Sequence, residues 1–382
     1  MSTPHRRVLV QINGVVDTSG GNLRAAVNIA EAMAGDGAAV TFSAPVVRAR
    51  PHRTVDLMDP RVERRLFRAS RPVARFGGSV QQLWWLWKNV RSFDEVQTHS
   101  LFSLSAVYGI VVCAIRGVPV FLWPHGSIDP FDLRKHARFK RVVGPLITRR
   151  LLDRCSALLF TTTHESRIAV TYGSRTPHEV IPLPVAPLSV EGADPIAWRH
   201  RHGVPEGVPV VLFLGRIDYK KRLPLLVEAV SLMDRRDAHL VVVGDGPHSE
   251  RSLVAETAAR CGVTDRVHVT GWLEGTDRIE AFAVGDVFAL LSDAENFGFS
   301  VIEALSAGCP AVISSQVFLA EDLERAGAAV RVERDAVAAA KAIDRLLTHL
   351  DEAAKMGTRA RELVAREFAP AAVAARLRQL SS

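Results

Sequence analysis

The stretch Ser292-Asp293-Ala294-Glu295-Asn296-Phe297-Gly298-Phe299-Ser300-Val301-Ile302-Glu303-Ala304-Leu305-Ser306-Ala307-Gly308-Cys309-Pro310 decides the fold. It leaves a short apolar run, Val287 to Leu291, and enters a segment with apolar residues at helical intervals, so it joins a buried strand to the helix after it. Open α/β sheets bind ligands outside such strand ends. Glu295 falls in the loop, the backbone amides of Phe297, Gly298 and Phe299 precede the helix and can donate to an anion, and Glu303 lies in the first turn. Two carboxylates thus frame an anion site. Ser300 to Glu303 is also the spacing of a capping box, in which the acid satisfies a backbone amide, and spacing alone leaves both uses of Glu303 open.

The same strand–turn–helix grammar extends outward through the second half of the chain. Val210 to Leu214 reads as a strand, Pro224 to Met233 as a helix, His239 to Val243 as a strand, Ser249 to Cys261 as a helix and Val267 to Thr270 as a strand. Gly215 and Arg216 follow the first of these strands, and Lys220, Lys221 and Arg222 precede the helix that begins near Pro224. Cations there face the positive end of the helix dipole, so each is unfavourable unless an anion sits among them. The planar fork of Arg216 and the mobile ammonium of Lys221 suit the two phosphates of a nucleoside diphosphate, against the plainer reading of a solvated charge run. Gly244-Asp245-Gly246-Pro247 ends the next strand. It starts like a dinucleotide-binding fingerprint, but Glu250 stands where the third small residue belongs, which counts against a nicotinamide dehydrogenase.

The first half repeats the pattern. Val8 to Ile12 is a strand, a loop through Asp17, Ser19, Gly20 and Gly21 follows, and Asn22 to Ala34 is helical; further strands fall at Val40–Ser43, Glu95–Thr98, Val118–Leu122 and Ala157–Thr161. The arginine-rich stretch after Ser43 carries little periodicity and is expected to be a long exposed excursion. Leu83 to Val90, with Trp84, Trp85 and Trp87, is expected to pack in the core, the alternative being contact with a membrane surface. His125 stands just after a strand, between Pro124 and Gly126. A lone histidine is commonly structural; its functional reading is a ring that donates to a sugar hydroxyl or backbone carbonyl. His99, after the Glu95–Thr98 strand, is a weaker candidate.

Six prolines between Ile181 and Pro209 mark an interdomain linker, giving a first domain at 1–185, a linker at 186–208, a second domain at 209–365 and a terminal helix at 366–382. The length of 382 residues fits two domains, and 48% hydrophobic with 23% charged residues is ordinary for a globular chain. The longest apolar stretch, Leu104 to Ile115, is too short to cross a bilayer, and the run Val8 to Ile12 is too short for a secretory signal, so a cytoplasmic protein is expected. The four cysteines are scattered without pairing or metal-ligand spacing and read as reduced thiols. A net charge of +7, with nine arginines between Arg48 and Arg75 and a basic stretch from Arg134 to Arg150, favours an anionic partner. No nucleic-acid-binding motif accompanies these charges, so nucleic acid is not expected and peripheral contact with an anionic membrane is the separate reading.

Taken together, the Gly20-Gly21 loop, Pro124-His125-Gly126, Gly215-Arg216 to Lys221, Gly244-Asp245-Gly246-Pro247, and Glu295 with Glu303 resemble the retaining glycosyltransferases of family 4 over nearly the whole chain. The resemblance implies the GT-B fold: two doubly wound, Rossmann-like α/β lobes facing a central cleft, with the C-terminal helix crossing back to the first lobe. It implies that Arg216 and Lys221 hold the donor diphosphate with amides from the Gly20-Gly21 and Phe297-Gly298-Phe299 loops. By the same resemblance Gly215 and the Gly244 and Gly246 turn line the donor side, Glu303 binds the donor ribose, and Glu295 and His125 face the transferred sugar. Asp17 and His99 would lie on the acceptor side. Lobe closure would bring His125 toward Arg216 and Lys221.

The function so implied is transfer, with retention, of a sugar from a nucleoside-diphosphate sugar to an acceptor hydroxyl of a glycan, lipid-linked or small-molecule compound. No cofactor and no metal are expected, because no Asp-x-Asp motif stands at a strand end and the two cations can neutralise the diphosphate. An epimerase or phosphorylase on the same fold, and a non-catalytic nucleotide-sugar sensor, are the competing readings. Three departures from the family stand out. Arg222 replaces the usual glycine after the lysine, Leu183-Pro184-Val185-Ala186 replaces Asn-Gly-Val-Asp, and Ala369-Pro370 interrupts the terminal helix.

Overall fold

The computed structural model describes residues 6–14, 20–46, 53–70, 76–127, 144–170 and 175–381. They divide into two compact units, one made of Met1–Pro184 with Phe368–Ser382 and the other of Val185–Glu367.

The first unit is built on seven strands: β1 (Arg7–Gln11), β2 (Ala39–Val46), β3 (Glu63–Arg68), β4 (Glu95–His99), β5 (Val120–Trp123), β6 (Ala157–Phe160) and β7 (His178–Val180). They pair in the order β3-β2-β1-β4-β5-β6-β7, all parallel. Helices cover a parallel sheet on both faces, and the central strand β1 is accordingly an apolar run in which Val8, Leu9 and Val10 are fully buried. Leu9, Val96, Leu122, Leu158 and Phe160 from the sheet share one core with Leu86, Val90 and Ile110 from the covering segments.

The arginine-rich stretch departs from expectation. Glu63-Arg64-Arg65-Leu66-Phe67-Arg68 is not an excursion but the edge strand β3, paired with β2 along its whole length. An edge strand needs no buried face to be held and tolerates charge along its length, so neither apolar alternation nor a run announced it.

The terminal helix, Pro370–Gln379, packs against Gly21–Gly35 of the first unit. Arg378 pairs with Asp36 at 3.1 Å, Arg376 donates to the Val180 carbonyl, and Arg6 bridges Glu95 at 2.5 Å and the Leu377 carbonyl at 3.1 Å. Pro370 sits in the first turn, where its missing N–H costs nothing, so the prolyl break starts this helix.

The second unit holds β8 (Val210–Leu214), β9 (His239–Val243), β10 (Val267–Gly271), β11 (Val287–Leu290), β12 (Ala311–Ser314) and β13 (Ala329–Val332), all parallel in the order β10-β9-β8-β11-β12-β13. The proline-rich segment is structured here: Asp194 caps a helix at Pro195–Arg201, and its fully buried Trp198 donates to the Asp277 carbonyl at 2.8 Å.

Candidate functional site

Each sheet reverses its winding direction once, between β1 and β4 in the first unit and between β8 and β11 in the second, and the crevice outside such a switch point is where doubly wound folds bind ligands. A second observation points to the same strand ends. Among the described residues the non-glycine positions with positive φ are Ser100 (70°), His125 (51°) and Arg222 (51°), which follow β4, β5 and β8. Left-handed backbone at such residues costs about 1–3 kcal/mol each and concentrates at functional sites.

In the second unit the loops after β8 and β11 are stitched together. The Asp293 amide donates to the Lys220 carbonyl at 2.7 Å, Arg222 lies 3.6 Å from Asp293, and the Lys221 ammonium is in direct contact with the Glu295 carboxylate. Both members of that last pair are about four-fifths buried. Glu295 is itself fixed by backbone: its carbonyl accepts from the Phe318 amide at 2.9 Å, and its amide donates to Gln316. The structure therefore unites Lys221 and Glu295 from 74 positions apart. Arg216 is exposed on the same loop and makes no ion pair among the described residues.

Gly244 and Gly246 have a reason internal to the fold. A Cβ on Gly244 would stand 1.8 Å from the Gly215 carbonyl oxygen, and one on Gly246 would stand 1.9 Å from that of Ile217. The β8 and β9 loops pack backbone to backbone, bonded by Gly215 N to Val243 O at 3.0 Å and Ile217 N to Asp245 O at 2.8 Å.

The helix Phe299–Ala307 begins after Gly298, whose φ of 76° makes it the N-cap. Ser300 therefore lies inside the helix and the capping-box arrangement does not form at this end. Glu303, 3% exposed, is instead met by Arg278 at 2.5 Å. Phe297 is buried, in edge contact with Phe299.

In the first unit His99, fully buried, and His125, 7% exposed, stack with Trp123 and are joined through His99 Nδ1 and His125 Nε2 at 2.7 Å. Burial drives both rings' pKa down, His125 to about 3 and His99 well below the usual value, so the pair is neutral near pH 7. One ring must donate and the other accept. His99 Nε2 is buried with no partner among the described residues. An orphaned lone pair costs less than an orphaned N–H, so His99 donates from Nδ1. His125 then accepts at Nε2 and carries its proton on Nδ1. His99, expected on the acceptor side, has no exposed surface, and its Nδ1 meets His125.

Sequence reading missed Glu165. This buried carboxylate accepts from the Gly126 amide at 2.6 Å and from the Thr161 amide and hydroxyl at 2.9 Å, tying the loop after β5 to the one after β6. It stands in the first turn of a helix, Thr163–Val170, where an acid ordinarily complements the dipole, so nothing in its local sequence marks it out. Gly20 caps the helix Gly21–Gly35, and a Cβ on Gly21 would meet nothing within 4 Å. Asp17 lies outside the described residues.

A family model described as "Glycosyl transferases group 1" matches residues 195–363, and one described as "Glycosyltransferase Family 4" matches residues 19–187. The chain belongs to the GT-B glycosyltransferases of the family 4 type. Among its curated relatives, the 2-deoxystreptamine glucosyltransferase of Streptomyces kanamyceticus is 32% identical over 57% of the chain and 58% of its own length. The GDP-mannose-dependent alpha-(1-6)-phosphatidylinositol monomannoside mannosyltransferase of Mycobacterium tuberculosis is 31% identical over 62% of the chain and 64% of its own length. The chain thus spans less than two thirds of either relative. Among solved structures, that of Anabaena HepE in complex with UDP superposes with a TM-score of 0.80 at 16% identity, covering 98% of each chain, a likeness of fold.

Proposed function

We propose that this glycosyltransferase moves a sugar from a nucleoside-diphosphate donor to the hydroxyl of a glycan, lipid-linked or small-molecule acceptor, with retention of configuration and without a metal ion. The observation that carries the reading is the convergence of Lys221 and Glu295 at the switch point of the second sheet, with Arg216 exposed beside them. The relative named for GDP-mannose-dependent mannosyl transfer supports a nucleotide-sugar donor.

In this reading Lys221 and Arg216 neutralise the charge that grows on the diphosphate as the anomeric C–O bond breaks. The first-turn amides after Gly298 assist. The acceptor oxygen bonds to the anomeric carbon on the face the diphosphate leaves, and its proton passes to a departing phosphate oxygen, so no protein base is required. Glu295, held on its backbone frame, faces the sugar, and the Nδ1–H of neutral His125 donates to a sugar hydroxyl or carbonyl. Glu303 takes the donor ribose by exchanging its bond with Arg278. The open space at Gly21 lets backbone approach the donor phosphates closely.

A thermal-shift panel of UDP, GDP, ADP and TDP and their sugars tests the assignment, since a ligand bound to the native state alone raises its melting temperature. One nucleotide should give a shift that Lys221→Ala abolishes, and turnover should survive EDTA. A shift unchanged by Lys221→Ala would remove Lys221 from the donor site, and EDTA-sensitive transfer would remove the metal-free mechanism.

A further inference from the structure

The helix Val80–Asn89 in the first unit is inverted. Its inward positions are Gln82 and Leu86, and Gln82 is fully buried in a polar cluster: its amide nitrogen donates to Ser43 at 2.8 Å, and its oxygen accepts from Tyr108 at 2.6 Å and Ser105 at 3.1 Å. Its outward positions carry Val80, Leu83, Trp84 and Trp87, with Val80 63%, Trp84 60% and Trp87 45% exposed. Positions 80, 84 and 87 form one stripe at helical spacing. The neighbouring helix Leu104–Arg116 adds Ile115, 61% exposed. A lone exposed apolar residue needs no explanation, but a helix that buries glutamine and exposes two indoles in a stripe does.

The charged side chains of these two helices have one sign. Lys88 Nζ lies 3.7 Å from the Trp84 ring centroid, and the Arg116 guanidinium lies 5.1 Å from that of Trp87. Arg91, exposed, follows the helix and donates to the Arg116 carbonyl at 3.4 Å. The sequence holds no Asp or Glu from Phe76 to Phe93, nor from Val96 to Ser127. Protein–protein interfaces deplete charge at their centre and place it at the rim. Here the cations sit on the aromatic rings themselves. Indoles with adjacent Lys and Arg, backed by aliphatic side chains, match the boundary between acyl chains and anionic headgroups.

We propose that the face formed by Val80, Trp84, Trp87, Lys88, Ile115 and Arg116 docks the first unit onto an anionic lipid bilayer, the indoles entering the interface and the cations meeting phosphate headgroups. The proposal is independent of the donor assignment, because its readout is binding and not turnover.

The test is co-sedimentation of the full chain with vesicles of phosphatidylcholine alone or mixed with phosphatidylglycerol, across a salt series. Binding is expected to the mixed vesicles, falling as salt rises. Trp84→Ala with Trp87→Ala should lower the partition coefficient about tenfold or more, and Lys88→Ala with Arg91→Ala should flatten the salt dependence. These side chains are exposed, so circular dichroism of the variants should match the parent. In the unsubstituted chain, brominated acyl chains should quench tryptophan fluorescence on vesicle addition, a readout that needs no variant. Failure to bind anionic vesicles at low salt, absence of quenching, or parental partition by a folded Trp84→Ala/Trp87→Ala variant overturns the proposal. So does a concentration-dependent dimer that the same variant abolishes, which would make this face a contact between copies.

Discussion

Acid should unlock the first unit through the His99–His125 pair, and His125→Asn should remove much of that sensitivity. The folded-state pKa of His125 is depressed to about 3 by burial, against 6.5 in the unfolded chain. Above pH 6.5 both states hold a neutral ring and the contribution to stability is fully present. As pH falls below 6.5 the unfolded chain takes up a proton that the folded one refuses, so stability drops until pH reaches the folded value. At about pH 5 the gap is about 1.5 units, and at about 1.4 kcal/mol per unit the loss is about 2 kcal/mol from this ring. His99, lowered in the same direction, adds to the loss. Doubly protonated, the rings would also set two N–H donors against each other across 2.7 Å. Asparagine tolerates the left-handed backbone at this position, where φ is 51°, so His125→Asn removes the titration without a new strain. Urea unfolding at pH 7 and pH 5 for parent and variant measures the difference, and imidazole NMR reports the ring protonation directly. Parallel loss of stability in both proteins, or a His125 ring protonated in the folded state at pH 5, would refute the buried neutral pair.

Glu165→Ala should cost about 2–4 kcal/mol, because the amides of Gly126 and Thr161 lose a buried acceptor, while Glu165→Gln, which keeps an oxygen, should cost less; denaturant midpoints decide. Arg222→Gly should stabilise by up to about 1 kcal/mol by relieving the left-handed strain, since the half-exposed pair it loses with Asp293 contributes little, and Arg222→Ala should bring no such gain. Gly246→Ala should destabilise by about 3 kcal/mol or more, its methyl meeting the Ile217 carbonyl, whereas Gly21→Ala should leave the melting temperature within a few degrees and weaken donor binding in titration calorimetry.

The sequence held more of the fold than of the site. Strands β1, β2, β4, β5, β6, β8, β9, β10 and β11 were read from the sequence, most of them as apolar runs because parallel strands are covered on both faces, whereas β7, β12 and β13 were not read. The edge strand β3 escaped for the complementary reason. The loop after β11 could be recognised as a ligand-binding strand end, but its partner could not be read from spacing, since Lys221 meets Glu295 only once β8 and β11 lie side by side. The capping-box spacing left two uses of Glu303 open, and the structure closes one of them: Gly298, two residues before Ser300, takes the cap and leaves Glu303 for Arg278. Trp84 and Trp87 were expected inside; hydrophobic character set that expectation, and the polar cluster around Gln82 reversed it.

The sequence alone determined the alternation of strand and helix, the division into two doubly wound halves, and the glycine, cation and carboxylate motifs at strand ends, because local periodicity and turn chemistry are written in neighbouring residues. Tertiary structure decided which of those motifs touch, that His99 and His125 are buried against each other, why Gly244 and Gly246 have no room for a side chain, and which face of an aromatic helix meets solvent. Those outcomes depend on the register of strands far apart in the chain and on local burial, quantities that no window of sequence contains.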